Sequence, residues 1–320
     1  MPGKEINKTK YDLSIIIPVF NAGQYLSECL RSIFESAKSS SARIELVLID
    51  NGSSDNSLSI ANEFAKRKTL AVKVIECQKP GASAARNCGV SEAKGEYIWF
   101  IDAADYIDQH AISLLLKEAR SKKADIVMMG ALRIYQDGNT NYLSAVDSTH
   151  PDYKSRFVRY GAGPWQFIIR REWWKRCDFR FREGIIHEDM EMISSLILYT
   201  DKFAHIDMPL YFYRQTPNSV LHRRVWSEHA YDIFPALKGL YARFKALGAD
   251  STYHDELEWF FIWNLLIDSA KDFAEFPEGK PGFARSREML QKYFPNWRKN
   301  RFLKKKPLKL KIRVRLNYYR

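Results

Sequence analysis

Four apolar runs of strand length lie in the first hundred residues, and polar turn residues follow each of them. The runs cover residues 13–19, 44–49, 72–75 and 95–101. Helical patterns separate them: after the first run, Leu26, Cys29, Leu30 and Ile33 recur at the spacing of one helix face. Alternating strands and helices of this kind predict parallel pairing with right-handed crossovers. We therefore predict an α/β fold, Rossmann-like, with a mostly parallel central sheet.

Polar residues collect where these strands end. Asp102 and Asp105 follow the fourth run, the segment 50–55 follows the second, and Phe20 and Asn21 follow the first. Open α/β sheets bind ligands outside the carboxyl ends of their strands. A stretch of small residues at 81–85 leads to one arginine, Arg86, which can reach a phosphate or carboxylate. The sequence therefore predicts one ligand crevice at this edge of the sheet.

The pattern changes along the second half of the chain. Residues 136–160 have no clear period and are predicted to form a variable loop, whereas 209–213 is predicted as a short final strand. Helical patterns then cover 231–247, 256–273 and 285–293. We predict an α/β domain over 1–224 and a helical extension over 225–320.

The net charge of +12 comes almost entirely from the C-terminus. Residues 298–320 contain eleven Lys and Arg and no Asp or Glu, which leaves a net charge of +1 for the other 297 residues. Within this tail, apolar and basic residues alternate over 308–316, so an extended strand there would have one apolar and one cationic face. We expect the tail to bind an anionic membrane surface. A nucleic-acid role is a weaker alternative because no recognised nucleic-acid module accompanies the tail, and a solvated tail without a partner is a third.

The remaining composition suggests an intracellular protein. There is no run of about 18 apolar residues and no apolar segment near the N-terminus, so neither a membrane-spanning helix nor a signal peptide is predicted. The four cysteines are scattered without Cys-x-x-Cys spacing and are expected to be reduced thiols. We expect a cytoplasmic protein, peripheral at the inner face of the cell membrane.

The order of the motifs resembles that of the family 2 glycosyltransferases, which have the GT-A fold. The matching segments are 18–21, 50–55, 81–87, 95–102 and 187–189. The segments 211–214 and 219–223 resemble, more loosely, bacterial enzymes that build lipopolysaccharide core or capsule chains. The resemblance implies an inverting enzyme that moves a sugar from a nucleotide-sugar, most often UDP-linked, to a glycan or glycolipid acceptor, with a divalent metal, Mn²⁺ or Mg²⁺.

The resemblance also implies roles for individual residues. Asp189 would be the general base that takes the proton from the acceptor hydroxyl, with Glu188 and Trp165 near the acceptor. Arg86 and Asp102, with Ala103, would hold ribose and diphosphate. The nucleobase and ribose would lie among Pro18, Val19, Phe20, Asn21, Asp50 and Asn51.

One departure from the family pattern affects the metal. The family has an Asp-x-Asp after the fourth strand, and its second Asp usually contacts the metal, but here that position is Ala104. Asp105 is the candidate replacement ligand, with His222 as a second. Two other readings stay open: catalysis with little or no metal dependence, and a degenerate, non-catalytic member that binds nucleotide or glycan.

Two other nucleotide-binding classes fit the sequence poorly. No Gly-x-Gly-x-x-Gly follows the first strand, which argues against a Rossmann oxidoreductase. The Asn21-Ala22-Gly23 turn does not supply the Gly-rich, basic loop that a sugar nucleotidyltransferase would need there.

Overall fold

A computed structural model describes residues 10–216 and 225–320. These residues form two compact units. Unit 1 takes in the described parts of Met1–Ser148, Pro164–Gly184 and Asp201–Thr216. Unit 2 takes in the described parts of Thr149–Gly163, Ile185–Thr200 and Pro217–Arg320.

Unit 1 is a mixed α/β structure around one sheet. Within its described residues, the strands are β1 Tyr11–Val19, β2 Ile44–Asp50, β3 Ala71–Glu76, β4 Gly95–Phe100, β5 Tyr106–Ile107, β6 Ile126–Ile134, β7 Thr140–Leu143, β8 Phe167–Arg170 and β9 Phe203–Arg214. The helices are α1 Leu26–Lys38, α2 Ser57–Lys66, α3 Ala82–Glu92, α4 Ala111–Ser121 and α6 Arg171–Arg176, and a 3-10 turn covers Pro164–Gln166. The sheet order is β3-β2-β1-β4-β8-β6-β9-β5, and β7 pairs with β6.

The predicted α/β fold is confirmed, and its first four strands are parallel as expected. On the far side of β4 the sheet becomes mixed, since β8 pairs antiparallel with both β4 and β6. The predicted helix face after β1 is buried in full, at Leu26, Cys29, Leu30 and Ile33. Each such side chain stabilises the fold by about 1.5–3 kcal/mol on burial, so this face fixes α1 against the sheet.

The register places the candidate residues at one edge of the sheet. Val19 pairs with Asp50, and Asp50 pairs with Glu76 across β2 and β3. Beyond β4, the amide of Ile101 donates to the carbonyl of Ile16, 3.0 Å away. The loops after β1, β2 and β4 therefore leave the sheet on the same side, where parallel α/β sheets bind ligands.

Unit 2 is helical in its described residues. Its helices are α5 Tyr153–Tyr160, α7 Glu188–Ile193, α8 Ile233–Ala246, α9 His254–Trp263, α10 Ser269–Glu275, α11 Pro281–Tyr293, α12 Arg301–Lys304 and α13 Leu308–Tyr319. One π-helical segment, Asn264–Asp268, links α9 to α10.

The units do not follow the predicted domain boundary at residue 224. Residues 149–163 and 185–200 belong with the C-terminal helices, because their side chains pack there. In α7, the Glu191 carboxylate lies against Gly239 of α8 and accepts from the Arg243 guanidinium. The predicted loop over 136–160 is also more ordered than expected, since it contains β7 and α5.

The basic tail is helical rather than extended. Residues 308–319 form α13, whose Val314, Asn317 and Tyr318 are buried. The Asn317 side chain donates to the carbonyl of Leu266, 2.9 Å away, and the Tyr318 ring lies 5.0 Å from that of Trp297. The expectation of an extended strand with two faces is therefore wrong, because packing against unit 2 selects the helix.

The outward face of α13 carries a row of apolar side chains. Positions i, i+4, i+8 and i+11 of a helix lie on one face. The side chains at these positions are 48–70% exposed, and we call them the apolar ridge: Leu308, Ile312, Leu316 and Tyr319. Basic residues flank the ridge on both sides: Lys309, Lys311, Arg313, Arg315 and Arg320. Among the described residues, no helix has the length and hydropathy to cross a membrane.

Candidate active site

The loop after β1 is tied to the loop after β2. Asn21 adopts a left-handed conformation (φ 47°), and its side-chain oxygen accepts from the amide of Ser54 at 2.8 Å. Its own amide donates to the hydroxyl of Ser53 at 3.1 Å. The preceding residue, Phe20, has its ring 59% exposed. The two loops thus hold an aromatic face open to solvent at the strand ends.

Asp50, at the end of β2, is buried with one oxygen unused. Its Oδ2 accepts from the amides of Gly52 and Ser53, each 3.2 Å away. Its Oδ1 is enclosed and has no hydrogen-bond partner among the described residues. Leaving a buried acceptor unpaired costs about 1–3 kcal/mol, and more when the group is charged. The Asp50 carboxylate therefore keeps one unused acceptor oxygen at the carboxyl end of β2.

Asn51 holds the turn before α3. Its Nδ2 donates to the carbonyls of Cys77 (3.1 Å) and Lys79 (2.7 Å), and its Oδ1 accepts from the amide of Gly81 at 2.6 Å. Gly81 has φ +104°, a backbone conformation that favours glycine. The Asn51 amide is therefore engaged with the protein and positions the turn, while its direct contact with the nucleobase or ribose stays a prediction.

Arg86 on α3 and Asp102 after β4 form an ion pair at the same edge of the sheet. The Arg86 guanidinium lies 3.2 Å from Oδ1 of Asp102 and 5.5 Å from the ring centroid of Phe181. Arg86 is buried, whereas the Asp102 side chain is partly exposed. The second Asp102 oxygen has no hydrogen-bond partner among the described residues. The pair offers a fixed cation and an open carboxylate oxygen side by side.

Asp105 is a buried structural residue in this geometry. It is 2% exposed, its Oδ2 accepts from the hydroxyl of Tyr211 at 2.6 Å, and its Oδ1 accepts from the amide of Arg214 at 2.8 Å. Burial, and then the nearby Asp102 charge, raise the pKa of the Asp105 carboxyl well above its usual value. Both oxygens are engaged and ionisation is disfavoured, so the environment does not support the predicted metal ligand.

Tyr211 and Arg214 of β9 fix the loop after β4. The Tyr211 hydroxyl accepts from the amide of Asp102 at 3.1 Å while it donates to Asp105. The Arg214 guanidinium donates to the carbonyl of Ala104 at 3.1 Å. Sequence reasoning noted the segment 211–214 but gave these side chains no role. No local sequence pattern could have assigned these roles, because Tyr211 and Arg214 lie more than a hundred residues from their partners at 102–105.

The described residues give a metal a sparse set of ligands here. Ala104 has no donor side chain, Asp105 is engaged, and His222 lies outside the described residues. Asp102 supplies one open carboxylate oxygen. Mg²⁺ commonly binds through one or two carboxylates together with substrate phosphates. The site therefore fits a metal that the diphosphate helps to hold, and not a metal held by the protein alone.

Trp165 is enclosed within unit 1. Its ring is stacked on those of Tyr211 and Tyr213, with centroids 4.6 and 5.1 Å away, and it is 8% exposed. Its carbonyl accepts from the indole of Trp99 at 2.8 Å. The predicted acceptor contact by Trp165 is therefore not supported, because its ring has no open face for a sugar.

In unit 2, Asp189 lies in the first turn of α7 and lines a cavity of about 530 Å³. His187 precedes the helix in a left-handed conformation (φ 66°), and burial lowers the pKa of its imidazole. Glu188 is buried beside it. Other lining residues include Arg156, Trp259 and Lys306. The cavity is within the size range of small-molecule sites, and sequence reasoning did not foresee its cationic and aromatic walls.

Comparisons with known proteins agree on one family. The family model "Glycosyl transferase family 2" matches residues 14–179, just over half of the chain. The chain is 30% identical over 253 residues to the uncharacterized glycosyltransferase EpsJ of Bacillus subtilis, covering 74% of this chain and 72% of EpsJ. It is 28% identical over 240 residues to the glycosyltransferase GlyG of Streptococcus pneumoniae, covering 69% and 78%.

Among solved structures, S. aureus TarS residues 1–349 in complex with UDP-GlcNAc superimposes with a TM-score of 0.76 at 18% identity. The match covers 96% of this chain and 89% of that one. This likeness shows that the fold is GT-A, as the motif order implied. The chain therefore belongs to glycosyl transferase family 2 and is a glycosyltransferase with a GT-A fold.

Proposed function

We propose that the protein transfers a sugar, with inversion, from a UDP-linked donor to a bacterial cell-surface glycan of the lipopolysaccharide-core or capsule type. The observation that carries the donor assignment is the unpartnered Oδ1 of Asp50. Asp50 pairs with Val19 at the end of the strands, and the exposed Phe20 follows Val19 directly. A nucleobase stacks on an aromatic face, and a base with an imide N–H also needs a hydrogen-bond acceptor for it. Uracil has that N–H, whereas cytosine has an acceptor at the same ring position.

The rest of the donor follows from the neighbouring side chains. Asn21 and the backbone of Pro18 and Val19 surround the base and ribose, and Asn51 keeps the adjoining turn in place. Arg86, with Asp102 and the Ala103 backbone, lies at the ribose and diphosphate. The buried guanidinium meets the charge that builds on the leaving diphosphate, where a preorganised cation is most effective.

Asp189 is the general base of the proposed reaction. Its carboxylate takes the proton from the acceptor hydroxyl as that oxygen attacks the anomeric carbon. The bond from this carbon to the diphosphate oxygen breaks, the nucleoside diphosphate leaves, and the new glycosidic bond has the inverted configuration. Glu188, next to Asp189, supports the acceptor side. Asp102 would hold Mn²⁺ or Mg²⁺, which would supply further positive charge for the leaving group.

The C-terminal helix docks the enzyme on the cytoplasmic face of an anionic membrane, where a lipid-linked acceptor is within reach. The apolar ridge of α13 and the basic residues that flank it support this assignment. An in-plane helix with an apolar face and cations beside it is the usual form of interfacial binding. Each basic residue near such a surface adds about 1 kcal/mol of attraction.

A thermal-shift screen of UDP, GDP, CMP and dTDP, with and without Mn²⁺ or Mg²⁺, tests the donor assignment, because a ligand that binds the native state raises apparent stability. We expect stabilisation by UDP. A response to GDP or CMP alone would contradict the base assignment.

A non-catalytic nucleotide-binding member of the same fold is the second candidate, and Ala104 favours it. UDP binding without turnover of any UDP-sugar, in the presence of either metal, would select this candidate over the enzyme.

A further inference from the structure

The cavity of unit 2 that contains Asp189 has three basic side chains in its wall, namely Arg156, Arg159 and Lys306. None of the three lies within 4 Å of a carboxylate among the described residues. The cavity also holds an acid besides Asp189, Asp268, but that carboxylate accepts from the Trp263 indole at 2.6 Å and from Lys271 at 3.4 Å.

Aromatic rings and neutral groups hold these cations in place. The Arg159 guanidinium lies 4.1 Å from the ring centroid of Phe302, and its Nε donates to the carbonyl of Ser155. The Lys306 ammonium lies 5.1 Å from the ring centroid of Trp259. Arg156 lies 2.7 Å from the imidazole of His150. Cations placed over aromatic rings keep their charge available for an anion.

The surroundings of Arg159 act on the pKa of its guanidinium in both directions, with a net lowering. Burial lowers its pKa, and the neighbouring cations Arg301 and Arg156 lower it further. The nearby acids Glu256 and Asp152 raise it; Oε1 of Glu256 accepts from Arg301 and Ser155, and its Oε2 is buried without a hydrogen-bond partner among the described residues. A bound anion would offset both the desolvation and the repulsion between like charges.

We infer that the acceptor carries an anionic group, a phosphate or a carboxylate, which Arg156, Arg159 and Lys306 bind in the cavity beside Asp189. The sugar or polyol next to that group lies against Trp263, which is 37% exposed and whose ring centroid is 5.7 Å from that of Trp259. Guanidinium groups bind phosphate and carboxylate through paired hydrogen bonds, and this recognition makes a neutral glycan a poor acceptor. The inference rests on the proposed role of Asp189 at the acceptor.

Three simple sugars test the site in the full-length protein. Binding of glucose 6-phosphate, glucuronate and methyl glucoside is measured by calorimetry, first alone and then with saturating UDP. We expect the two anions to bind and the neutral glucoside to bind at least tenfold more weakly. Binding of only one anion identifies the charged group as phosphate or carboxylate.

Variants locate the anion. Arg159→Gln should weaken glucose 6-phosphate binding about tenfold or more, the usual effect of losing a charge-assisted hydrogen bond, and Arg159→Lys should restore part of it. Lys238→Gln removes an exposed charge from α8 and is the matched control, with no change expected. Lys306→Gln is the second test if the Arg159 variant fails to fold, as judged by circular dichroism.

Several outcomes would overturn the inference. Equal binding of the neutral and anionic sugars would do so, as would unchanged glucose 6-phosphate binding in both the Arg159→Gln and Lys306→Gln proteins. Loss of glucose 6-phosphate binding when UDP is present would assign the anion to the donor site instead. Failure of UDP to bind would count against the proposed function, and it leaves the sugar measurements interpretable by themselves.

Discussion

Replacing Asp50 by Asn should change which nucleobase the protein prefers. The Oδ2 of Asp50 accepts two backbone amides, so the asparagine oxygen is expected to take that place and its NH₂ to occupy the position of Oδ1. The NH₂ then faces the uracil imide N–H donor to donor, whereas it can donate to the ring nitrogen of cytosine. Asp50→Asn should therefore weaken UDP binding and strengthen CDP binding.

The size of the change follows from one hydrogen bond to a charged group. Such a bond contributes about 1.5–3 kcal/mol, and 1.4 kcal/mol is a factor of ten in affinity. UDP affinity should fall about 10- to 100-fold, and the UDP-to-CDP ratio should fall further because CDP gains a contact. The buried Oδ1 no longer carries charge, so the free energy of unfolding should stay the same or rise.

Calorimetric titration of UDP and CDP into the wild-type and Asp50→Asn proteins measures the ratio directly. Asp178→Asn, at an exposed position, controls for the loss of one negative charge. An unchanged UDP-to-CDP ratio would refute the assignment of Asp50 to the base. Equal loss of both nucleotides would instead indicate that the substitution disturbs the turn at Gly52 and Ser53.

Three further predictions use other parts of the molecule. Asp189→Asn should lower turnover about 10²-fold or more with unchanged UDP affinity, and near-normal turnover would remove Asp189 from the role of base. Tyr211→Phe removes the hydrogen-bond partner of Oδ2 of Asp105 and of the Asp102 amide, so urea denaturation should show about 2–4 kcal/mol less stability. Tyr213→Phe should cause a smaller loss, and equal losses would contradict this. Replacing the three aliphatic side chains of the apolar ridge, Leu308, Ile312 and Leu316, by glutamine should weaken binding to anionic phosphatidylglycerol vesicles at least tenfold, as measured by co-sedimentation. Circular dichroism and UDP binding should stay unchanged. Undiminished co-sedimentation would refute docking through the ridge.

The first half of unit 1 was predictable because its signals are local. In residues 13–101, apolar residues recur with the period of two of a strand or 3.6 of a helix, a pattern that can be read from neighbouring positions. The observed β1–β4 and α1–α3 match that pattern. The antiparallel placement of β8 was not predictable in this way, since its pairing with β4 and β6 joins residues about 40–70 positions apart.

The difference between local and long-range signals also explains which parts of the candidate site could be predicted. Asp102 and Arg86 meet as the strand-end argument predicts. The environment of Asp105 depends on Tyr211 and Arg214, which no local pattern connects to it. In the tail, alternation over 308–316 also places residues at i, i+4 and i+8, so the sequence permits either a strand or a helix. Packing of Val314 and Tyr318 decides for the helix.

The three hydrogen bonds of Asn51 have a consequence for how a nucleotide is recognised. They link the end of β2, where we propose that the base binds, to the amide of Gly81, which begins the helix that carries Arg86. Asp50, the proposed contact of the base, and Arg86, the proposed cation at the diphosphate, are thereby held at a fixed spacing before a ligand binds. A donor of matching length needs no ordering of this turn, and so keeps more of its binding energy. If these assignments hold, the fixed turn selects donors whose distance from base to diphosphate matches this spacing.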